Sequence, residues 1–142
     1  MQPLPVSAYT VTSALGMGRD AHLRALRACE TGLRKLSFDT NTLDCWLGEV
    51  GNLGDALTGE LAPWDCRNNR LAALALHQDG FAEAVAHSRE RHGAERIAVF
   101  IGSSTSGVHH TELAYRARDT AKNELPDWFD HRHTQNMFSV AD

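Results

Sequence analysis

The alternation of apolar and polar positions predicts short strands separated by turns and loops. Residues 6–11 are rich in Val, Tyr and Thr, which favours a strand, and residues 13–18 contain two glycines that allow a sharp turn after it. A second strand is predicted over residues 45–50, where apolar and polar side chains alternate. Residues 36–43 show no regular pattern, and the Gly, Asn and Asp content of residues 51–60 predicts a surface loop.

A short amphipathic helix is predicted between Asp20 and Gly32. Asp20 belongs to a residue type that often caps helices, and glycine commonly ends them. Three residues at a spacing of three form the apolar stripe of this helix: Leu23, Leu26 and Cys29. We expect that stripe to face a sheet.

The strongest helical pattern begins near Asp65 and runs to His92 and Gly93. Asp65 is an N-cap candidate, and Gly93 stands where a C-terminal glycine commonly stops a helix. Gly80 interrupts the pattern, so it is expected either to bend one helix or to divide it in two. Apolar residues on one face extend across the whole stretch: Leu71, Leu74, Ala75, Phe81, Ala82 and Val85.

A continuous apolar run over residues 96–101 predicts a central strand that is buried on both faces of a parallel sheet. With the helix before it, this strand gives βαβ order, right-handed crossovers and an α/β fold class. The Gly- and Ser-rich residues 102–107 follow directly, and another helix is indicated around residues 112–116. Ligands collect at such loops because backbone N–H groups and the next helix terminus point towards them. Residues 102–107 are therefore the most site-like loop in the chain.

The loop lacks the sequence motifs of several common types of site. Neither Ser104 nor Ser106 has a glycine two residues away on both sides, as a nucleophile elbow requires. The loop also lacks the G-K-[ST] ending of a Walker motif and the G-x-G-x-x-G of a dinucleotide fold. A catalytic serine and a nucleotide site are therefore both disfavoured.

Composition and charge exclude several function classes. The 142 residues are 42% apolar and 23% charged, which is typical of a globular domain rather than a disordered or fibrous chain. The formal net charge is −4 and the basic residues are scattered, which argues against a nucleic-acid partner. No apolar run is long enough to span a bilayer, and the first residues lack a signal-peptide pattern. We expect no membrane association and a cytoplasmic location.

The cysteines and histidines favour neither a disulfide framework nor a metal site. Three cysteines without a C-x-x-C pair predict reduced, buried thiols: Cys29, Cys45 and Cys66. His131 and His133 have a spacing that could supply two metal ligands, but no nearby Cys or His set completes a tetrahedron. We therefore expect no metal and no cofactor.

Basic and aromatic residues leave alternatives open. Trp64 and Trp128 could line an apolar pocket, although covering the core is the preferred interpretation. A group of arginines flanks the long helix and the apolar run. These side chains could meet an acidic partner, such as a phosphopantetheine-bearing carrier protein, or be ordinary surface charges. The group consists of Arg67, Arg70, Arg89, Arg91 and Arg96.

Residues 136–142 have the pattern of a helix that is beginning. Asn136 is a suitable N-cap, Phe138 and Val140 are apolar, and no stop signal follows them. We expect this helix to continue past Asp142, so that a site completed by later residues would be incomplete here.

Several pieces of the chain stand in a distinctive order and spacing. They are residues 6–18 (VSAYTVTSALGMG), 29–33 (CETGL), 38–39 (FD), 48–50 (GEV), 67–76 (RNNRLAALAL), the apolar run with GSSTSG at 102–107, and 136–142 (NMFSVAD). This ordered set resembles the N-terminal part of the β-ketoacyl-[acyl-carrier-protein] synthases. The GSSTSG and FDHRHTQNMFSVAD stretches are more similar to ketosynthases of aryl-polyene or polyketide-type pathways than to those of housekeeping fatty-acid synthesis.

The resemblance implies an acyltransferase with a thiolase-like α/β fold, in which helices pack on a mixed or parallel sheet. Residues 1–142 would be the N-terminal ketoacyl-synthase segment. Such an enzyme carries an acyl chain on a cysteine and condenses it with malonyl-carrier protein by decarboxylation, assisted by two histidines, in fatty acid or polyketide synthesis. Those residues come later in the family's sequence, and none of the cysteines here matches the nucleophile's motif. The chain alone is therefore expected to be inactive.

The resemblance also implies partners and a substrate pocket. The partners are acyl carrier protein, with Arg67 and Arg70 as docking candidates, and a homologous ketosynthase in a homodimer or heterodimer. Thr105 falls where the family has a residue that lines the acyl tunnel, and a polar β-branched side chain there would narrow or polarise it. The alternative left open is a chain-length-factor-like subunit, a non-catalytic homologue that pairs with an active synthase. The implied pocket residues are Gly102, Ser103, Ser104, Thr105, Ser106, Gly107 and Phe138.

Overall fold

A computed structural model describes residues 3–35 and 44–141 of the chain. The chain divides into two compact units. The first unit comprises Met1–Asn52 and Ala75–Ala94, and the second comprises Leu53–Leu74 and Glu95–Asp142. The irregular stretch expected at residues 36–43 lies outside the described residues.

Short strands and helices of about three turns make up the regular structure. Shorter helical turns occur at Gly59–Trp64 and Ala94–Arg96, which are 3-10 turns, and at His131–Gln135, which is a π-helical turn. No helix within the described ranges has the length and apolar character needed to cross a membrane. In chain order the elements are β1 (Thr12–Ser13), β2 (Gly16–Met17), α1 (Gly18–Arg27), β3 (Leu33–Lys35), β4 (Trp46–Gly48), α2 (Arg67–Leu76), α3 (Phe81–His92) and α4 (Val108–Arg116).

The sheets are small and antiparallel. Strand β1 pairs with β2, so that Ser13 lies opposite Gly16, and β3 pairs with β4, so that Leu33 lies opposite Gly48. The fold class is therefore mixed α and β, but the prediction of a parallel sheet is wrong. Strand β4 confirms the centre of the strand expected at residues 45–50. The strand expected at residues 6–11 is not formed, and β1 begins only at Thr12.

The apolar run at residues 96–101 is not a buried central strand. Val99, Phe100 and Ile101 are exposed to 67%, 92% and 49%. Within the described part of the chain, no backbone–backbone hydrogen bond involves residues 98–101. Residues with high β-propensity form a strand when a neighbouring strand is present to pack and pair with them. The described residues provide no such neighbour for this run.

Helix α1 buries a different face from the one expected. Its buried residues are Gly18, His22 and Ala25, whereas Leu23 and Leu26 are largely exposed. A β-carbon added to Gly16 would lie 2.7 Å from the β-carbon of Ala21. The hairpin of β1 and β2 thus approaches the helix closely at Gly16 and Ala21, and the exposed leucines lie outside the buried face of the helix.

The N-terminus of α1 is capped by a residue from outside the helix. Met17 occupies the N-cap position without a capping side-chain bond, and the expected cap, Asp20, lies inside the first turn. The carboxylate oxygens of Asp79 instead accept the backbone N–H of Arg19, each at 3.0 Å, and one also accepts the Thr10 hydroxyl at 2.9 Å. Burial opposes ionisation of this carboxyl, but these donors outweigh it and lower the pKa of Asp79 below its ordinary 3.8.

The expected long helix is divided in two. Helix α2 ends at Leu76 and α3 begins at Phe81. Asp79 and Gly80 in the connecting turn both have positive φ, 59° and 70°, which no α-helix continues through. Of the two outcomes considered for Gly80, division is therefore confirmed, and so is the stop before Gly93, where α3 ends.

Small side chains dominate the buried positions. Among the residues that the structure describes, the buried apolar side chains are Ala25, Cys66 and Ala114, and no large side chain is fully buried. Trp64 is partly buried, but Trp128 is half exposed and does not cover a core. Hydrogen bonds and close backbone contacts therefore determine much of the local structure of each unit.

Replacement of Asp79 tests the external cap. Asp79→Ala removes the acceptor for the α1 N-terminus and leaves alanine in the left-handed region, so we expect the thermal midpoint to fall by several degrees in circular dichroism. Asp79→Asn should lose less, because Asn tolerates positive φ and keeps one acceptor oxygen. Asp20→Asn is the matched control within the same helix. An equal loss in Asp20→Asn would contradict the assignment of the cap to Asp79.

Candidate functional site

A cavity in the second unit is formed by the glycine-rich loop and two helices. Its volume is about 230 Å³. The first turns of α2 and the beginning of α4 supply the rest of its wall. The lining residues are Arg67, Asn68, Leu71, Thr105, Ser106, Gly107, Val108, His109 and His110.

The loop is held in place by a close backbone approach at Gly107. Its N–H donates to the carbonyl of Thr134 at 3.0 Å, and the Ser106 hydroxyl donates to the carbonyl of Gln135. A β-carbon on Gly107 would collide with the Thr134 carbonyl oxygen and would lie 3.4 Å from the sulfur of Cys66. Only glycine fits at this point, so the position of the cavity wall depends on it.

The start of α2 is tied to the same segment of backbone. The side-chain amide of Asn69 donates to the carbonyls of Trp64 and His133, at 2.8 and 3.2 Å. The Cys66 thiol lies 3.7 Å from the Thr134 carbonyl, to which it donates. Residues 133–135 therefore link the α2 wall to the loop wall.

Cys66 is a structural thiol. Burial chiefly raises the pKa of this thiol above its ordinary 9.0, which keeps it protonated at neutral pH. The expectation of buried thiols holds for Cys66, whereas Cys45 is partly buried and Cys29 is exposed. Cys29 stands outside α1 with a φ of 55°, which turns the chain away after the helix.

Arg70 forms an ion pair with Asp65. Its guanidinium donates to the two carboxylate oxygens at 2.6 and 2.5 Å, and the N–H of Leu57 donates to the same carboxylate at 2.9 Å. The hydrogen bonds from Arg70 chiefly lower the pKa of Asp65 and raise the pKa of Arg70. Asp65 was expected to cap α2, but its carboxylate holds Arg70 instead. Arg70, a docking candidate, does not line the cavity, whereas Arg67 does.

His110 is a neutral side chain in the cavity wall at pH 7. Burial chiefly lowers its pKa below the ordinary 6.5, and the nearby carboxylate of Asp65 only partly opposes this. The ring meets Trp128 edge-on with centroids 5.0 Å apart and lies 6.1 Å from Phe129. Arg67 therefore supplies a permanent positive charge to a wall in which His110 does not add a second.

A second histidine stabilises the π-helical turn. The Nδ1 of His133 lies 2.5 Å from a carboxylate oxygen of Asp130, and the ring packs edge-on against Trp64 at 4.4 Å. The hydrogen bond from His133 chiefly lowers the pKa of Asp130. In the described residues, no group of three or more His, Cys, Asp or Glu side chains is placed to hold a metal ion.

The structure brings some of the predicted pocket residues together and leaves others apart. Thr105, Ser106 and Gly107 line the cavity, but Phe138 does not and is 76% exposed. The lining also does not include three further predicted residues: Gly102, Ser103 and Ser104. Sequence reasoning missed several wall residues, namely Asn68, Leu71, Val108, His109 and His110. The i, i+4 spacing of Arg67 and Leu71 was the available signal, since it places both on one helix face.

This cavity is equipped for binding more than for bond making. The hydroxyl of Ser106 donates a hydrogen bond to a backbone carbonyl, and the neighbouring thiol of Cys66 is protonated and buried. The wall that remains combines the apolar side chains of Leu71 and Val108 with the charge of Arg67. Such a surface holds and orients a small group that has both an apolar and a polar end.

Comparisons of the chain with protein-family models, with curated proteins and with solved structures give no match.

Replacement of Gly107 tests the close approach at the loop. Gly107→Ala forces the Thr134 carbonyl to move, so we expect the free energy of unfolding to fall by about 1–3 kcal/mol in urea denaturation followed by tryptophan fluorescence. Gly102→Ala, in the same loop, is the matched control because an added β-carbon there meets nothing within 4 Å. Equal stability of the two variants would contradict the proposed constraint.

The pKa shifts of the second unit predict two steps of acid destabilisation. Burial of neutral His110 does not reduce the free energy of unfolding above pH 6.5, its ordinary pKa. As the pH falls through the lowered folded-state pKa, the histidine must be protonated and the free energy of unfolding decreases. The ionised side chains of Asp65 and Asp130 add to the free energy of unfolding above pH 3.8, their ordinary pKa. This addition is lost at lower pH, because folding lowers both pKa values. Urea midpoints measured from pH 7.5 to pH 3 should show both steps.

The His110→Gln variant should lose the upper step and keep the lower one, because Gln does not titrate. His77→Gln, an exposed histidine of the first unit, is the control and should keep both. An upper step that persists in His110→Gln would show that another group is responsible.

Proposed function

We propose that the cavity lined by α2 and the GSSTSG loop is part of the acyl-binding wall of a β-ketoacyl-[acyl-carrier-protein] synthase. The observation that carries the proposal is the meeting of two pieces of the resemblance, RNNRLAALAL in α2 and the GSSTSG loop, at one cavity. Arg67, Leu71 and Thr105 represent the two pieces in its lining. Pieces from separate parts of a sequence are expected to meet at a cavity if both serve one substrate chamber.

The proposed role of this wall is to hold and orient an acyl thioester. Leu71 and Val108 offer apolar contact to an acyl chain, and Thr105 limits the width of the chamber. Arg67 attracts an acidic acyl carrier protein or the phosphate of its prosthetic arm. The acyl group would be carried on a cysteine elsewhere in the protein and condensed with malonyl-carrier protein with loss of carbon dioxide. Cys66 does not take that role, because burial favours its protonated form.

A thiolase-like fold, a cytoplasmic location and a dimeric parent belong to the same proposal. The mixed α and β character of the chain supports the fold class of this proposal.

The sequence of the parent polypeptide beyond residue 142 tests the proposal directly. A cysteine in a small-residue segment at a helix start should follow, and two histidine motifs should come later. A glutamine at the cysteine position would instead indicate the chain-length-factor-like subunit. The absence of any such segment would contradict both.

Binding of a simple thioester tests the cavity itself. We expect hexanoyl-pantetheine to shift the backbone amide NMR signals of residues 105–110 and of α2, because the cavity accommodates a short acyl chain. Thr105→Trp should fill the cavity and weaken binding at least about tenfold, which corresponds to 1.4 kcal/mol. Thr120→Trp is the control, since Thr120 is exposed and outside the lining. Shifts that map elsewhere, or that Thr105→Trp leaves unchanged, would contradict an acyl-binding wall.

A further inference from the structure

The first unit holds a serine and a histidine in hydrogen-bond contact. The hydroxyl oxygen of Ser13 lies 2.7 Å from Nε2 of His22, and Nδ1 of His22 lies 2.8 Å from the carbonyl oxygen of Gly18. His22 is only 9% exposed, while Ser13 at the end of β1 is partly accessible. Ser13, His22 and the Gly18 carbonyl are thus connected by hydrogen bonds, as a nucleophile, a base and a group that orients the base would be.

The partners of the histidine assign its tautomer. A backbone carbonyl can only accept, so Nδ1 must carry a proton and donate it to Gly18. In the neutral ring Nε2 is then the lone-pair nitrogen, and the Ser13 hydroxyl donates to it. This is the arrangement in which histidine withdraws a proton from serine, with the Gly18 carbonyl holding the ring where other enzymes use a carboxylate.

Ser13 also faces space that a ligand could occupy. It lines two cavities of about 440 and 340 Å³, whose linings share Ser13, Ala14 and Gly32. Both volumes lie within the range of about 300–1,000 Å³ that is usual for small-molecule sites. Gly32 and Ala14 approach each other closely in the wall that the two cavities share, since a β-carbon on Gly32 would lie 2.6 Å from the Ala14 carbonyl carbon.

We propose that Ser13 is a nucleophile activated by His22 and that it accepts acyl groups from small uncharged esters. The larger cavity has the apolar side chains of Leu15 and Leu33 and the acid Glu30 in its wall, which suits an uncharged acyl group better than an anion. The smaller cavity contains Arg34 and Glu49, so its lining adds no excess of either sign. This site is independent of the acyl-binding wall, because it lies entirely in the first unit.

The proposed step is a transfer of the acyl group to serine. The Ser13 oxygen attacks the ester carbonyl carbon while its proton moves to Nε2 of His22, and the tetrahedral intermediate forms. The backbone N–H of Leu15 donates to the Ser13 oxygen at 3.1 Å and so fixes the position of this oxygen. The bond to the leaving alcohol then breaks, and the alcohol takes the proton from His22. Attack by water, assisted by His22 in the same way, returns free Ser13 and the acid.

The experiment uses the full chain and two probes, diisopropyl fluorophosphate and p-nitrophenyl acetate. We expect one covalent adduct per chain, found by intact mass and mapped to Ser13 by tandem mass spectrometry, with fluoride as the leaving group. Ser13→Ala should lose the adduct and the release of p-nitrophenol. His22→Gln should slow both by at least about a hundredfold, the usual contribution of a general base.

Matched controls separate reactivity from folding. Ser7→Ala and His77→Gln replace an exposed serine and an exposed histidine of the first unit, and both variants should react as the wild type does. Circular dichroism verifies that the variants are folded. An adduct of the wild type that maps to another residue, or no adduct at all, overturns the proposal whatever the variants do. A folded His22→Gln chain that reacts at the wild-type rate also overturns it.

Discussion

Close approach of backbone at small residues is the constraint on which both units depend. A β-carbon would collide with Ala14 at Gly32 in the first unit and with the Thr134 carbonyl at Gly107 in the second. Since no large side chain among the described residues is fully buried, these contacts and the polar bonds around them define the local geometry. The cavities lie beside these approaches, so the same constraint that holds each unit together also shapes its candidate site.

The polar groups around the cavities divide into those that hold the fold and those that face a ligand. Asp65, Asp79 and Asp130 are held as carboxylates by hydrogen bonds, and each fixes a turn or a helix terminus. Burial acts in the opposite direction on Cys66 and His110, which it keeps uncharged. The second unit therefore places few reactive groups around its cavity. In the first unit, by contrast, a serine hydroxyl and a histidine are in direct contact at the edge of open space.

Local signals in the sequence predicted the elements that depend on local physics. The break between α2 and α3 follows from the positive φ of Asp79 and Gly80, and the end of α3 follows from Gly93. Predictions that required a distant partner failed. The apolar stripe of α1 was expected to face a sheet, but Leu23 and Leu26 are exposed and the helix buries a face that contains His22 instead. The run at residues 98–101 has the composition of a strand, yet a strand needs a neighbour to pair with.

What the sequence by itself determined is where helices stop, which loop is rich in small residues, and which chemical groups are available. Only the tertiary structure decided which of these groups meet. The carboxylate of Asp79 caps a helix 60 residues away, and Gly107 fits against a carbonyl in a later segment. Turn and capping preferences act over a few neighbouring residues, so a sequence displays them directly. Hydrogen bonds and steric fit between distant residues depend on how the backbone is folded, and no local pattern records them.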